Sequence, residues 1–237
     1  MKNKMEVKNI KIIGLGGIGS ILTDKICRFM TFGKFANNDW KITLIDGDSY
    51  EQKNRERQDF LYLKNKASSK ADELNDKFGE NTIFHEIHEY INEDNIGRYI
   101  VDGDLVFICV DNHHSRRLIS KYAEKTLDNI IIISGGNDYT DGNVQIYIRQ
   151  NGKDITPSLT SYHPEIESPD DKHPDDMSCD ELADSAPQLY FANLTAATIM
   201  CWVFYVIISG DFNYIAKSEI YFDIKLMSVI SKLRAVY

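Results

Sequence analysis

Residues 11–20 read KIIGLGGIGS, a short β-branched run that passes directly into a glycine-rich turn. A stretch typical of a helix follows, from Gly17 to about Phe32. Between a strand and a helix, glycines let the backbone turn tightly and approach a phosphate, and the amino end of the helix favours negative charge. The segment therefore predicts a nucleotide-binding unit, without indicating which nucleotide. The alternative is a glycine turn that serves only strand–helix packing. The glycines are Gly14, Gly16, Gly17 and Gly19.

Buried strands alternate with helices on the carboxyl side of this unit. Apolar runs at 41–45, 104–110 and 129–134 predict strands that are covered on both faces, and the stretches 64–78 and 112–125 predict helices. This alternation indicates an α/β fold, a doubly wound Rossmann-like and mostly parallel sheet flanked by helices. We expect a crossover loop and late strands at 144–149 and 218–223.

The length of 237 residues suits a single large α/β domain with three parts. Residues 1–150 form the predicted nucleotide-binding core. Residues 151–186 form an acidic crossover loop, and the stretch 150–186 holds four of the five prolines. Residues 187–237 supply a long apolar helix and strands that we expect to pack on the same domain.

The net charge of −9 is concentrated in one segment. This net charge argues against nonspecific nucleic-acid binding, which needs a basic surface. Residues 165–184 hold nine acidic residues and one basic residue. The amino-terminal residues carry no apolar leader, and the apolar stretch 194–209 is too short for a confident membrane span, so we expect no membrane partner. The four cysteines form no CxxC pair, which favours a cytoplasmic protein with free thiols and no structural zinc site.

A polar cluster follows the second predicted strand. Asp46 ends that strand, where a ribose-binding acid belongs in such folds, although an ordinary turn acid is the alternative. An Asn amide can hold a phosphate or ribose oxygen, and an Arg fork can clamp phosphate oxygens in two places. The cluster comprises Asp46, Asp48, Asn54, Arg57 and Gln58, and Lys70 follows Arg57 by 13 residues.

In order and spacing, these elements resemble the ThiF/MoeB/HesA superfamily, the adenylation domains of ubiquitin-activating enzymes. That superfamily has G-x-G-G-x-G-S, D-x-D, N-x-x-R-Q and a following Lys. The first three occur here as Gly14–Ser20, Asp46 with Asp48, and Asn54 with Arg57 and Gln58, and the Lys is Lys70. The superfamily's next motif, D-N-x-x-x-R after an apolar strand, is Asp111-Asn112 with Arg116. The resemblance covers residues 8–148 well and 187–209 weakly.

The resemblance implies an enzyme that binds ATP and Mg²⁺ and adenylates the carboxyl terminus of a small ubiquitin-like or sulfur-carrier protein. Arg57 and Lys70 would offset charge on the phosphates, and Asp111 would hold Mg²⁺. Asp46 would take the ribose hydroxyls, while Asn54 would help to fix the phosphates. The alternatives are a surface Arg57, a solvated Lys70 and an Asp111 that merely caps a helix.

Two departures from the family pattern bear on mechanism and partners. Relatives often carry an amino-terminal helix with an Arg that reaches the partner subunit's site. Because only about nine residues precede the first predicted strand, we expect no such helix here, so that another protein or another Arg would supply the charge; Arg55 is a candidate by proximity only. Members that form a thioester place a Cys in the crossover loop, where this chain has Cys179. A catalytic Cys179 and a bystander thiol both stay open, because the neighbouring acids oppose thiolate formation. Relatives pair through the apolar helix, so the resemblance also suggests a homodimer. By its charge, the acidic loop could meet a basic carrier protein or a conjugating enzyme, and a plain solvated loop is the alternative.

Two other functions are compatible with the same fold. A catalytically weak scaffold would keep the fold and bind a partner, and the missing amino-terminal helix favours it slightly. An NAD(P)-dependent oxidoreductase would use the same glycine turn, but Arg57, Lys70 and Asp111 would then share no purpose. The adenylating enzyme therefore explains the most residues.

Overall fold

The computed structural model describes residues 9–33, 40–79, 84–172, 174, 188–210 and 218–236. Its helices are α1 (Gly17–Phe32), α2 (Lys66–Phe78), α3 (Ile96–Tyr99), α4 (His113–Thr126), α5 (Pro164–Glu167) and α6 (Tyr190–Ile208), and a 3₁₀ helix spans Gln52–Glu56. Its strands are β1 (Asn9–Ile13), β2 (Lys41–Ile45), β3 (Phe84–Ile87), β4 (Leu105–Ile108), β5 (Ile130–Asn137), β6 (Asp141–Gln150), β7 (Lys153–Asp154), β8 (Glu219–Asp223) and β9 (Ser228–Lys232).

The described strands form one mixed sheet in the order β3-β2-β1-β4-β5-β6-β8-β9, with β7 paired to β6. The five strands from β3 to β5 are parallel, and the later strands join antiparallel. The chain leaves β1 toward β2 on one side and later returns to β4 on the other. In open α/β sheets, such a reversal creates a crevice at the carboxyl ends of the strands.

Apolar side chains fill both faces of the sheet. One core joins the sheet to α1, α2 and α6, and contains Leu22, Phe107 and Phe204. The other lies beneath α3 and α4 and contains Ile108 and Ile132. This two-sided burial explains why the central strands are continuously apolar rather than alternating.

Helix α6 is long and apolar enough to cross a membrane by length and composition, with a mean hydropathy of 1.9. However, 56% of this apolar stretch is buried inside the protein, where the helix packs against α1 and β5. Ala196, Met200 and Phe204 are almost fully buried on the inward face. This burial is typical of a core helix in a globular domain.

The predicted fold class is confirmed, and the differences concern element boundaries. Strand β6 begins at Asp141, three residues before the prediction, because the hairpin with β5 pairs Asn137 with Gly142. Helix α2 begins at Lys66 rather than 64, because Asn65 caps it by accepting hydrogen bonds from the backbone N–H groups of Ala67 and Ser68. The proposed three-part division of the chain stays a prediction, although β8 pairs with β6 and thus shares the sheet.

Candidate active site

A cavity of about 940 Å³ opens at the carboxyl ends of the parallel strands. Its volume lies near the upper end of the range for small-ligand sites, so a nucleotide and part of a second substrate can fit. The wall brings together most of the residues that the sequence predicts. These are Gly14, Gly16, Gly17, Asp46, Asp48, Asn54, Arg57, Gln58 and Asp111. Lys70 and Gly19 are not part of the lining.

The glycines of the turn have different structural roles. Gly14 has a φ of +84°, and a Cβ there would come within 2.9 Å of the backbone between Cys109 and Val110. A Cβ on Gly19 would overlap the carbonyl oxygen of Gly14. Gly16 is different, because its nearest neighbour would be the Gln58 amide at 3.7 Å. Gly14 and Gly19 therefore serve close packing, while Gly16 leaves room for a ligand to approach the backbone.

Asp46 fastens the glycine turn to the end of β2. Its carboxylate accepts hydrogen bonds from the backbone N–H groups of Leu15, at 2.6 Å, and Asp48, at 2.9 Å. Burial raises the pKa of Asp46, and the Lys66 charge together with these backbone donors offsets part of that rise. The Tyr50 hydroxyl donates to the Leu15 carbonyl at 2.6 Å on the same turn. The turn is thus held in shape before any ligand arrives.

Lys66 supplies a buried cation to the cavity wall. Its ammonium lies 2.6 Å from the Asp48 carboxylate, and the residue is only 8% exposed. Burial alone would lower the pKa of Lys66, but the carboxylates of Asp46 and Asp48, with a smaller contribution from Asp111, raise it above the ordinary value. Lys66 is therefore protonated at neutral pH and faces the acids of the cavity.

Asp111 presents a carboxylate to the cavity at the carboxyl end of β4. The following residue, Asn112, is the N-cap of α4, and its side chain accepts a hydrogen bond from the Ser115 N–H at 2.8 Å. Asp111 is therefore not the helix cap. Its carboxylate is exposed and accepts no hydrogen bond from any of the described residues. A carboxylate in this setting suits a hard cation such as Mg²⁺, which typically takes one or two carboxylates together with substrate phosphates.

A comparison with models of known protein families shows to which family the chain belongs. A family model described as the ThiF family matches residues 2–231. The chain belongs to the ThiF family. The resemblance that the motifs indicated is thus confirmed over nearly the whole sequence. No curated protein sequence matches the chain.

Solved structures similar to this ThiF-family chain share its fold. MccB of E. coli with ATP has a TM-score of 0.70 at 18% identity, over 98% of this chain and 65% of that one. MccB with AMPCPP and MccA gives 0.70 at 19% identity, with the same coverage. PaaA gives 0.65 at 18% identity, over 97% and 65%. This chain therefore spans about 65% of the length of these proteins.

The predicted Lys70 lies away from the cavity of this ThiF-family protein. It is 2% exposed, and its ammonium lies 2.7 Å from the Glu73 carboxylate, which is equally buried. Glu73 also accepts a hydrogen bond from the Leu61 backbone N–H at 2.6 Å. The reason is helical phase: Lys70 falls on the inward face of α2 with Ala67 and Leu74. Lys70 therefore pairs with Glu73 inside the protein and does not reach the cavity. Lys66, in the first turn of α2, does reach it.

The segment after the 3₁₀ helix holds the N-x-x-R-Q residues. The Asn54 side chain accepts a hydrogen bond from the Glu51 backbone N–H at 2.9 Å and so caps the 3₁₀ helix. Arg57 and Gln58 follow on the cavity wall, Arg57 half-buried and Gln58 only 7% exposed. The side-chain oxygen of Gln58 is buried, and no described residue donates to it.

The buried Arg116 side chain connects the end of β4 to β5 beside the cavity. Its guanidinium donates to the carbonyl oxygens of Val110, at 2.8 Å, and Gly135, at 2.9 Å. A Cβ on Gly136 would collide with the guanidinium at 2.6 Å. These contacts support a structural role for Arg116.

The charged wall of the cavity contains His163 and Glu165, which are linked to the buried Glu219 and to Arg234 behind it. His163 lies 2.7 Å from Glu165 and 2.6 Å from Glu219, and Arg234 lies 2.9 Å from the other Glu219 oxygen. Burial alone would lower the pKa of His163, but hydrogen bonds to the two carboxylates raise it. Burial alone would raise the pKa of Glu219, but hydrogen bonds from His163, Tyr221 and Arg234 lower it to about 2. No residue spacing in the sequence indicates this cluster.

The described cysteines are buried or half-buried. Burial raises the pKa of Cys27 and Cys109 far above the ordinary value, and that of Cys201 to about 12. These thiols are protonated and unreactive at neutral pH. Cys179, the predicted nucleophile of the crossover loop, lies outside the described residues.

Proposed function

We propose that the protein uses ATP to adenylate a terminal carboxylate of a peptide or small protein. One observation carries the proposal: a single cavity joins an open glycine turn, the protonated Lys66 and the unbonded carboxylate of Asp111. A hydride-transfer site has no need for both a buried cation and a carboxylate that could hold a metal ion. A triphosphate with a bound Mg²⁺ would satisfy all three features.

The chemistry needs positioning more than covalent help from the protein. A carboxylate oxygen of the substrate attacks the α-phosphorus of ATP, and the bond from that phosphorus to the bridging oxygen of pyrophosphate breaks. The products are an acyl adenylate and pyrophosphate, and no proton has to move, because the attacking carboxylate is already ionised. Stabilisation of phosphate charge and fixed geometry should therefore account for most of the rate enhancement.

The cavity residues divide this work. Lys66, in place of Lys70, and Arg57 would offset negative charge on the phosphates. Gly16 would admit a phosphate to the backbone at the amino end of α1. Asp111 would hold Mg²⁺, which neutralises phosphate charge when bound. Asp46, with its carboxylate fixed between two backbone donors, would accept hydrogen bonds from the ribose hydroxyls.

The identity of the substrate is the finer part of the proposal. The similar MccB structures include complexes with MccA, which suggests a peptide as one class of substrate here. A ubiquitin-like or sulfur-carrier protein is the other class. The homodimer, the conjugating enzyme and the thioester on Cys179 belong to this second version.

The test is exchange of labelled pyrophosphate into ATP, with Mg²⁺ and a panel of short peptides and carrier proteins that end in a free carboxylate. Adenylation predicts exchange that depends on one of these substrates and vanishes when its terminus is amidated. Asp111→Asn should abolish exchange. Asp128→Asn, exposed in the turn before β5, is the matched control and should keep it. Exchange in the Asp111 variant equal to that of the parent would remove the site assignment. Failure to bind ATP would refute the proposed function.

A further inference from the structure

Helix α6 carries one fully buried polar side chain on its inward face near its start, Asn193, which is 0% exposed. Burying an amide among apolar residues costs free energy unless it is hydrogen-bonded. Its Nδ2 group donates to the backbone carbonyl oxygen of Arg57 at 3.1 Å. This bond joins a helix that follows the crossover loop to the segment that carries Arg57, 136 residues earlier.

Asn193 also touches the glycine turn. A Cβ built on Gly17 would overlap the Asn193 amide, so the absence of a side chain at Gly17 is what admits Asn193. The same amide therefore packs against the amino end of α1 and holds the Arg57 backbone. These are the two parts of the cavity wall that the proposed function assigns to the triphosphate.

The hydrogen bonds that the Asn193 Nδ2 group donates determine how the amide is oriented. Asn193 Oδ1 is buried, and no described residue donates a hydrogen bond to it. Nδ2 has two acceptors within reach, the Arg57 carbonyl and, at 3.5 Å, the side-chain oxygen of Gln188. A buried oxygen without a donor costs free energy that a leucine of similar shape would avoid, so stability alone does not account for an amide at this position.

From these contacts we infer that Asn193 is a positioning residue for nucleotide binding: by donating to the Arg57 carbonyl while packing on Gly17, it sets the distance between the arginine segment and the glycine turn. The inference rests on the proposed function. Asn193 does not line the cavity and acts through Arg57 and Gly17.

The substitution Asn193→Leu separates positioning from stability. It keeps the approximate shape, removes the buried oxygen that lacks a donor and takes the donor from the Arg57 carbonyl. The measurements are the Kd for ATP with Mg²⁺, by calorimetry on the full chain, and the melting temperature. We expect ATP binding to weaken about fivefold, the equilibrium factor of one ordinary hydrogen bond, with a melting temperature equal to or above that of the parent.

Two more variants complete the test. Asn193→Asp keeps the shape but faces the Arg57 carbonyl with an acceptor, so it should weaken ATP binding at least as much as leucine. Thr198→Leu, on the exposed face of the same helix, should leave the Kd unchanged. Unchanged ATP affinity in both Asn193 variants overturns the inference. So does a fall in melting temperature that accompanies lost binding in both, because it would indicate a packing role. If the parent itself does not bind ATP, the proposed function fails first.

Discussion

Replacing Lys66 by methionine tests whether the cation of the first turn of α2, rather than Lys70, meets the nucleotide. Methionine keeps most of the apolar stem and removes the charge. A charge-assisted hydrogen bond to a phosphate contributes about 2 kcal/mol, so Lys66→Met should weaken ATP binding roughly thirtyfold. The lost pair with Asp48 should cost only about 1 kcal/mol of stability, since the Asp48 side chain is 49% exposed and water can solvate it. The loss of the Lys66 charge should also raise the pKa of the buried Asp46 further and so add to this cost.

Lys70→Met should give the opposite result. Glu73 would be left buried without its partner, which costs about 3 kcal/mol of folding free energy, while the ATP affinity of the folded protein stays the same. Lys64→Met, which alters a half-exposed lysine that pairs with the Asp72 carboxylate, should leave the ATP affinity unchanged and lower the stability by less than about 1 kcal/mol. The assays are calorimetric titration with ATP and Mg²⁺ and chemical denaturation. The reasoning is refuted if Lys70→Met stays folded but loses ATP, while Lys66→Met binds it normally.

Three further predictions concern the turn, the charged wall and the crossover loop. Gly16→Ala should keep the melting temperature but weaken ATP binding, whereas Gly19→Ala should lower the melting temperature because its Cβ overlaps the Gly14 carbonyl. The lowered pKa of Glu219 contributes stability that is present above its unfolded value of 4.5 and is lost as pH falls toward 2. As the pH falls over that range, the free energy of unfolding should therefore decrease less steeply in Glu219→Gln than in the parent protein. An equal decrease in both proteins would contradict the assignment. If Cys179 carries a thioester, Cys179→Ala should retain pyrophosphate exchange but lose a thiol-sensitive conjugate on denaturing gels, and a conjugate that persists would exclude that residue.

The central strands and the glycine turn were predictable because local signals and tertiary demands agree there. The continuous apolar run at 104–110 must be buried on both faces, and only a strand between helices provides that burial. The turn at Gly14 requires a positive φ, which glycine adopts without strain. Strand β9 and helix α3 had no comparable signal: β9 is largely exposed, and α3 is only four residues long.

Prediction of the site was limited wherever a role depends on helical phase or long-range contact. The spacing of 13 residues from Arg57 predicts Lys70 as the phosphate-binding cation. Lys70, however, lies on the same helix face as Ala67 and Leu74, and this face is buried. The Asn65 cap is the local signal that could have pointed to Lys66 as a first-turn residue. Asn193 stands out as a polar residue in an apolar helix, but no sequence rule places it beside Arg57, 136 residues away.

The most direct measurement is a crystal structure of the full chain with Mg²⁺ and a non-hydrolysable ATP analogue. We predict the triphosphate beside Gly16, with the Lys66 ammonium and the Arg57 guanidinium on its phosphates and Mg²⁺ between a phosphate oxygen and Asp111. A nucleotide bound elsewhere, or phosphates that contact neither Lys66 nor Arg57, would contradict the account.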